Sequence, residues 1–317
     1  MKNTGIPRHV RIVAKPMVLK HSYPIRSLFL ADFHCGAWSG LQPKKFITTD
    51  GRTFTQNPVQ KILYNQFQRI KEVADEFKIQ YIFFLGDLLN GLNYRGKGHG
   101  VTCELRDQKR MAVQLLSEIA QDRTIYIISG TRYHSIPKGE GEPEENVAVD
   151  LRDRGFSAHF LGDMALIDLE ELKRKRRIYI AHEASAGLVS QANLMSREIN
   201  WALEAIAKGK VRSIDAIFRA HLHHYVHVDH SRIHAVQVPC FAGLTAYNQT
   251  IKYFFKLQPD IGAVTMFADE EGRLRIWEFL MSKEAHMKMT ELIIKVQPVS
   301  PNLYLENQRD VYSKCLS

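Results

Sequence analysis

The sequence has few cysteines and no long apolar run, and both absences limit the kind of protein that it encodes. Its four cysteines are scattered through 317 residues without a C-x-x-C pair. This spacing argues against a disulfide frame and a zinc ribbon, so we expect free thiols in a reducing compartment. No stretch approaches the roughly 18 apolar residues of a membrane span. Residues 1–9 also lack the apolar core of a signal peptide, and we therefore expect a cytoplasmic protein.

Internal repeats, low-complexity segments and a recognisable linker are absent as well. Hydrophobic residues make up 45% of the chain, which is typical of globular proteins and argues against disorder. We therefore expect one main domain over residues 26–297, preceded by a lead-in at 1–25 that contains at most one short strand. A tail at 298–317 follows, with Pro298 and Pro301 near its start.

The charge balance is basic. Lysine and arginine outnumber aspartate and glutamate by 43 to 34, which gives a net charge of +9 and a pI near 9.3. A basic surface attracts polyanions, so this balance favours nucleic acid or another phosphate-rich partner, although solubility alone also explains it. The basic run at 173–177 is predicted to be a charged hairpin turn, with phosphate contact as the alternative.

Apolar runs and helical periods alternate along the chain and predict an α/β fold. In the first half, Asn57 and Pro58 match the N-cap and first turn of a helix. The strands predicted there are 26–31, 81–85 and 124–128, and the helices are 58–77, 103–122 and 145–153. In the second half, we predict a hairpin of 164–169 and 177–181, a helix within 184–207, a strand at 214–218, and a second sheet with strands 225–228, 234–238, 262–267 and 274–279. Residues 37–56 are expected to be irregular, and 138–145 a solvated acidic loop.

Polar residues follow the predicted strands. In open α/β sheets ligands bind outside the carboxyl ends of the strands, so these positions are candidates for chemistry. One of these positions, His221, begins a stretch with five histidines in ten residues, 221–230. Imidazole is a common metal ligand, but a solvated strand face is the alternative explanation of such a cluster. The motifs, in chain order, are Asp32-x-His34, Gly86-Asp87, Gly130-Thr131-Arg132-Tyr133-His134, His182 and His221-x-His223.

In this order the motifs resemble those of the calcineurin-like metallophosphoesterase superfamily, whose pattern is D-x-H, G-D, G-N-H, H and G-H-x-H. The resemblance spans roughly residues 26 to 280, and the G-T-x-x-H loop is similar to that of phage and prokaryotic members. It implies a four-layer αββα sandwich of two mixed β-sheets flanked by helices. It also implies a two-metal centre at the strand ends.

The resemblance also implies a role for each motif residue. The first metal would be bound by Asp32, His34 and His223, and the second by His182 and His221. Asp87 would bridge the two, because an anionic ligand offsets the repulsion between neighbouring cations. Mixed imidazole and carboxylate ligands suit manganese, with iron or zinc as alternatives, better than magnesium or calcium.

The third motif departs from the family pattern. Thr131 stands where the family has a metal-binding asparagine, so we expect a weak second site. His134 comes two residues late, and we expect it to be the catalytic histidine or a substitute ligand. Arg132, Tyr133 and Asn90 are further candidates for metal or substrate contact, with purely structural roles as the alternative.

Other residues near the motifs are assigned with less specific roles. Glu183 is a candidate to orient a ligand or, alternatively, an exposed carboxylate. Beyond the last motif, His227, His230 and His234 are predicted on solvated strand faces. His224 is left open between a metal ligand and a residue on such a face.

The predicted function is that of a metal-dependent phosphodiesterase or nuclease acting on nucleic acid, in which a metal-bound hydroxide attacks phosphorus. One alternative is a phosphomonoesterase for a small molecule or a phosphoprotein. Another is a catalytically degenerate scaffold that binds nucleic acid or a protein partner.

Overall fold

The computed structural model describes most of the chain. The described residues are 16–21, 24–91, 100–102, 104–131, 142–171, 174–183, 191–244, 258–269 and 271–296. The helices within them are α1 (Pro58–Glu76), α2 (Leu105–Ala120), α3 (Pro143–Asp153), α4 (Gln191–Ala207) and α5 (Lys283–Val296). None of these helices is both long and apolar enough to cross a membrane.

The first sheet has a parallel centre that the apolar runs predicted closely. Its strands, in spatial order, are β14 (Leu274–Leu280), β13 (Gly262–Ala268), β2 (Ser27–Leu30), β5 (Tyr81–Phe84), β6 (Thr124–Ile127) and β7 (Ala158–Phe160). Strands β2, β5, β6 and β7 run parallel, so their carboxyl ends lie at the same edge. The assignment of β13 and β14 to the second sheet was wrong. Strand β13 instead pairs antiparallel with β2 and covers the side of this buried strand that β5 leaves open.

The second sheet is also mixed. Its strands, in spatial order, are β1 (Met17–His21), β8 (Met164–Glu171), β9 (Arg174–Ala181), β10 (Ala216–Arg219), β12 (Ile233–Gln237) and β11 (Val226–His230). Strand β1 supplies the one short strand expected in the lead-in and pairs parallel with β8. Strands β9, β10 and β12 are parallel to one another, so β9 and β10 deliver their carboxyl ends together.

The basic run at 173–177 was predicted as a turn, and this was wrong, because residues 174–177 lie within β9. The run alternates between two faces, and its charges are paired across the β8–β9 hairpin. Arg176 is buried and forms an ion pair with Glu171. Arg177 donates two hydrogen bonds to Asp168, at 2.6 and 2.8 Å. Cross-strand carboxylates therefore stabilise a strand in a segment whose charge alone suggested a loop.

The two sheets pack face to face, with helices on both outer sides. Between the sheets, Phe29 of β2 stacks on Phe218 of β10 with ring centroids 3.7 Å apart. Outside the first sheet, side chains of α1, α2, α3 and α5 form the largest core, and outside the second sheet α4 forms a smaller one. The predicted four-layer αββα sandwich is confirmed.

A local sequence signal explains the start of α1. Asn57 caps α1 as predicted, and Gln60 completes a capping box with it. In contrast, α5 was not predicted, and the segment 37–56 contains a short hairpin of β3 (Lys45–Ile47) and β4 (Thr53–Thr55) where irregular chain was expected.

The predictions for the cysteines and for α4 are tested only in part. Cys35 and Cys240 are buried free thiols, as expected for these two positions. The helix predicted within 184–207 is described from Gln191, and residues 184–190 lie outside the described residues.

Candidate metal centre

Four strand ends, two from each sheet, deliver the motif residues to one place. Strands β2 and β5 of the first sheet lead into Asp32-x-His34 and Asp87, while β9 and β10 of the second lead into His182 and His221-x-His223. Five of these residues have left-handed backbone conformations, which non-glycine residues rarely adopt. Their φ values are 54° for Asp32, 45° for His34, 54° for Asp87, 74° for His221 and 60° for His223. The chain therefore turns sharply at five of the six motif positions, His182 being the exception.

The first group of side chains consists of Asp32, His34 and His223. His34 Nε2 and His223 Nε2 lie 3.2 Å apart, and Asp32 Oδ1 is 3.8 Å and 3.3 Å from these two nitrogens. Two nitrogen ligands of one tetrahedral or octahedral cation, each about 2.0–2.1 Å from it, are separated by about 3.0–3.4 Å. The spacing of the two imidazoles thus suits a shared cation.

The second group consists of Asp87, His182 and His221. His182 Nε2 lies 3.1 Å from Asp87 Oδ2, and the rings of His182 and His221 meet edge to face with centroids 5.3 Å apart. The two groups adjoin, because His182 Nε2 is also 3.9 Å from Asp32 Oδ1. Asp87 and His182 are buried, whereas His221 is exposed, so this side of the centre faces solvent.

The chemistry of the donor set fits divalent cations. Each group contains one carboxylate and two imidazoles. Each of these side chains offers one ligand atom, and the three ligand atoms lie within 4.8 Å of one another. Asp32 Oδ1 is buried and accepts no hydrogen bond from any described residue, although three imidazole nitrogens surround it. A buried carboxylate oxygen without a donor is costly unless a cation satisfies it.

The electrostatics of the residues also indicate competition between protons and cations. Burial alone would lower the pKa of His182, but the adjacent Asp87 carboxylate raises this pKa to about 9. Burial likewise disfavours the charged form of Asp32, yet His223 and His182 together outweigh it and lower the Asp32 pKa. A cation must displace the imidazole proton, so its affinity for the site should rise with pH.

Hydrogen bonds to the protein hold Asp87 and His182 in place. The Thr131 N–H donates to Asp87 Oδ1 at 2.6 Å, and the Thr131 hydroxyl lies 3.1 and 3.2 Å from the two carboxylate oxygens. His182 Nδ1 contacts the carbonyl oxygen of Leu85 in the strand end beside it. This contact orients the opposite nitrogen, Nε2, towards the carboxylates.

Gly130 allows the Asp87 side chain to lie where it does. A Cβ atom built at Gly130 would be 2.1 Å from Asp87 Oδ1 and 2.2 Å from Asp87 N. Gly86 meets Gly130 in the same place, since its own Cβ would be 2.5 Å from the Gly130 Cα. The glycines of the second and third motifs are therefore required by close packing of two strand ends.

The remaining candidates from the sequence have different environments. Asn90 is buried, and its N–H donates to the Cys35 carbonyl at 2.9 Å. Glu183 is exposed, which matches the alternative given for it. His224 is partly buried, with Nδ1 3.9 Å from Asp260. Residues 132–134, and with them Arg132, Tyr133 and His134, lie outside the described residues.

Sequence reasoning missed Glu144 near the centre. The segment 138–145 was expected to be solvated, but Glu144, in the first turn of α3, is only 4% exposed. Its Oε1 accepts a hydrogen bond of 3.4 Å from the N–H of Leu88, the residue after Asp87. Burial, followed by the charge of Asp87, raises the pKa of Glu144 to about 7. The sequence signal that pointed to this position is Pro143, which marks a first helical turn.

Comparison with known proteins gives structural likeness only. No family model matches the chain, and no curated protein does. A novel archaeal phosphodiesterase aligns with 81% of this chain and 100% of its own, at 10% identity and a TM-score of 0.40. Zinc-complexed Vps29 from Entamoeba histolytica aligns with 82% and 94%, at 11% identity and a TM-score of 0.39. YfcE, a phosphoesterase from E. coli, aligns with 81% and 100%, at 12% identity and a TM-score of 0.36.

These identities and TM-scores are low, so the ligands and substrates of the three proteins are not evidence for the function of this chain. The molecule's own features are two mixed sheets packed between helices, with two carboxylate–imidazole groups at adjoining strand ends. The motif residues follow the order D-x-H, G-D, H and H-x-H.

Proposed function

We propose that the chain is a metal-dependent phosphoester hydrolase and, more narrowly, a phosphodiesterase that acts on nucleic acid. The observation that carries the proposal is the junction of two ligand groups, with four of their six residues buried, at strand ends of both sheets. Structural histidines do not need this arrangement, because hydrogen bonds could satisfy them singly. Adjoining carboxylate–imidazole groups are typical of two-metal hydrolytic sites.

In this proposal the first group, Asp32, His34 and His223, would bind one cation, and His182 and His221 would bind the other. Asp87 would bridge the two. The short distance between Asp87 and His182 supports its place in the second set, and the proximity of His182 to Asp32 supports a compact centre. Manganese is the proposed metal, with iron or zinc as alternatives. When bound, two such cations lower the pKa of a coordinated water and offset the charge of the phosphate.

The protein residues then fix the geometry of the reaction. Left-handed turns present five of the six proposed ligands from strand ends, and Thr131 holds both oxygens of Asp87. The exposed edge at His221 leaves one side open for a substrate. His134 is proposed to protonate the leaving oxygen of the substrate or to act as a substitute ligand, and Arg132 and Tyr133 to contact the phosphate.

Nucleic acid is proposed as the substrate because of the net charge of +9. The test is to compare Mn²⁺-loaded protein on bis-p-nitrophenyl phosphate and p-nitrophenyl phosphate, and then on single-stranded DNA, duplex DNA, RNA and cyclic nucleotides. We expect the diester to be hydrolysed faster than the monoester and at least one polynucleotide to be cleaved. Faster hydrolysis of the monoester would favour the phosphomonoesterase alternative. No turnover, with at most one metal per chain, would favour a degenerate scaffold.

Replacement of Thr131 by Asn is expected to strengthen the second metal site. An amide oxygen would add a ligand where the hydroxyl now lies 3.1 Å from Asp87 Oδ1. We expect the weaker of two Mn²⁺-binding steps to tighten by about tenfold, as is typical when a site gains or loses a supporting group. Isothermal titration calorimetry measures this step.

The matched control is Thr131→Ser, which keeps the hydroxyl and should leave both binding steps unchanged. Unaltered Mn²⁺ binding in a folded Thr131→Asn protein would show that position 131 does not face the second metal.

Replacement of His134 by Ala separates its two proposed roles. If His134 protonates the leaving group, turnover should fall by about a hundredfold or more while metal content stays constant, because general acids contribute roughly 10²–10⁴. Metal analysis together with steady-state kinetics distinguishes this result from the loss of one metal, which would make His134 a ligand. Unchanged turnover and unchanged metal content would remove it from both roles.

A further inference from the structure

A second cluster of histidines lies on the hairpin formed by β11 and β12, at one edge of the second sheet. In the register of the hairpin, Asp229 is opposite His234, and His227 is opposite Val236. Val236 belongs to the core between the two sheets, so these side chains share the inner face of the hairpin. His230 is opposite Ile233, which packs with α4, and it therefore belongs to the outer face.

His227 and His234 are diagonal neighbours on this inner face, and their rings converge. His227 Nε2 lies 3.0 Å from His234 Nδ1, and the ring centroids are 5.3 Å apart at an interplanar angle of 33°. This nitrogen separation lies within the range of about 3.0–3.4 Å expected for two ligands of one tetrahedral or octahedral cation. It closely matches the 3.2 Å between His34 and His223 in the main centre.

Two carboxylates lie near the pair. Asp229 Oδ2 is 3.9 Å from His234 Nδ1, and the Asp229 side chain is 60% exposed, so it can turn towards the nitrogens at little cost. Glu278 of β14 accepts a hydrogen bond of 3.2 Å from the Tyr225 hydroxyl and acts electrostatically on His227. The surroundings thus carry negative charge that would favour a cation.

Both imidazoles are suited to ligation in their protonation state as well. Partial desolvation, together with the neighbouring His234, lowers the pKa of His227, and desolvation lowers the pKa of His234. Neutral rings bind metals, whereas imidazolium does not. A cation would replace the hydrogen bond between the rings. The proton in that bond would move to the other nitrogen of its own ring. Binding to the two neutral imidazoles would therefore release no net proton.

We propose that His227 and His234, with Asp229 as a third ligand, form a mononuclear binding site for a divalent transition metal such as Zn²⁺ or Ni²⁺. Water completes the coordination shell, because His227 and Asp229 are exposed. Mg²⁺ and Ca²⁺ would not compete, since they prefer all-oxygen ligands. The bound ion would cross-link the edge strand β11, which begins three residues after the main-centre residue His223, to β12.

The test is to count Zn²⁺ equivalents per chain by equilibrium dialysis and mass spectrometry of the metal. The full-length protein is compared with the double variant His227→Gln/His234→Gln. We expect the double variant to bind one equivalent fewer than the unaltered protein. The matched control is His230→Gln on the outer face of the same strand, which should bind as many as the unaltered protein.

Equal stoichiometry in the double variant would overturn the proposal, as would loss of the same equivalent in His230→Gln. If the double variant fails to fold, the exposed position is tested alone. His227→Gln should weaken one Zn²⁺-binding step by about tenfold or more, and an unchanged step would again overturn the site. The main centre does not enter the comparison, because its six residues are the same in every protein tested.

Discussion

Asp87→Asn is expected to reduce phosphoester hydrolysis by at least about a hundredfold. Loss of a group that merely supports a metal ligand already costs 10- to 100-fold, and Asp87 is proposed as the ligand shared by both cations. The amide keeps the shape of the side chain but removes the negative charge that offsets repulsion between the cations. Initial rates on bis-p-nitrophenyl phosphate with saturating Mn²⁺, together with metal content per chain, measure the effect.

A suitable control for Asp87→Asn is Asp122→Asn. Asp122 is an exposed carboxylate just before β6, at the amino end of the same sheet, so the chemical change is identical and the place is remote. This control should retain full activity and metal content. Retention of most activity by Asp87→Asn would remove Asp87 from the bridging role.

Gly130→Ala is expected to damage both stability and metal binding. The added Cβ would lie 2.1 Å from Asp87 Oδ1 and 2.2 Å from Asp87 N, so the strand ends must separate or Asp87 must turn away. Overpacking of this kind typically costs about 1–3 kcal/mol. We expect a lower midpoint of thermal unfolding and a lower Mn²⁺ content, measured by calorimetry and metal analysis on the same sample.

Gly100→Ala is the matched control, because the nearest atom to its added Cβ would be at an ordinary 3.4 Å. It should leave both quantities nearly unchanged. If Gly130→Ala had the stability and Mn²⁺ content of the unaltered protein, the close approach of Gly130 to Asp87 would not matter for the site.

The sequence predicted the part of the fold that local patterns specify. Apolar runs located β2, β5 and β6 to within about a residue at each end. The alternation of these strands with helices predicted that they run parallel. Parallel strands place their carboxyl ends at one edge, so it followed that Asp32 and Asp87 would meet. The clustering of motif residues could therefore be foreseen from their order, without any knowledge of distances.

Long-range pairing could not be predicted in the same way. The apolar alternation of β13 and β14 identifies strands but not their partners, and β13 joined β2 rather than the second sheet. Arg176 and Glu144 were both taken for solvated charges. Each is buried because the folded chain supplies a partner: Glu171 pairs with Arg176 across the β8–β9 hairpin, and the Leu88 N–H bonds to Glu144. Such partners emerge only when the chain is folded.

The left-handed backbone at five motif residues has a consequence for how this protein can change over generations. Each such residue other than glycine costs roughly 1 kcal/mol or more, so together they consume a noticeable part of a typical folding stability of about 5–15 kcal/mol. Glycine at His221 or Asp32 would relieve that strain at once. Glycine at these positions would thus favour folding while removing the Asp and His side chains, so mutation towards stability and retention of the five side chains oppose each other.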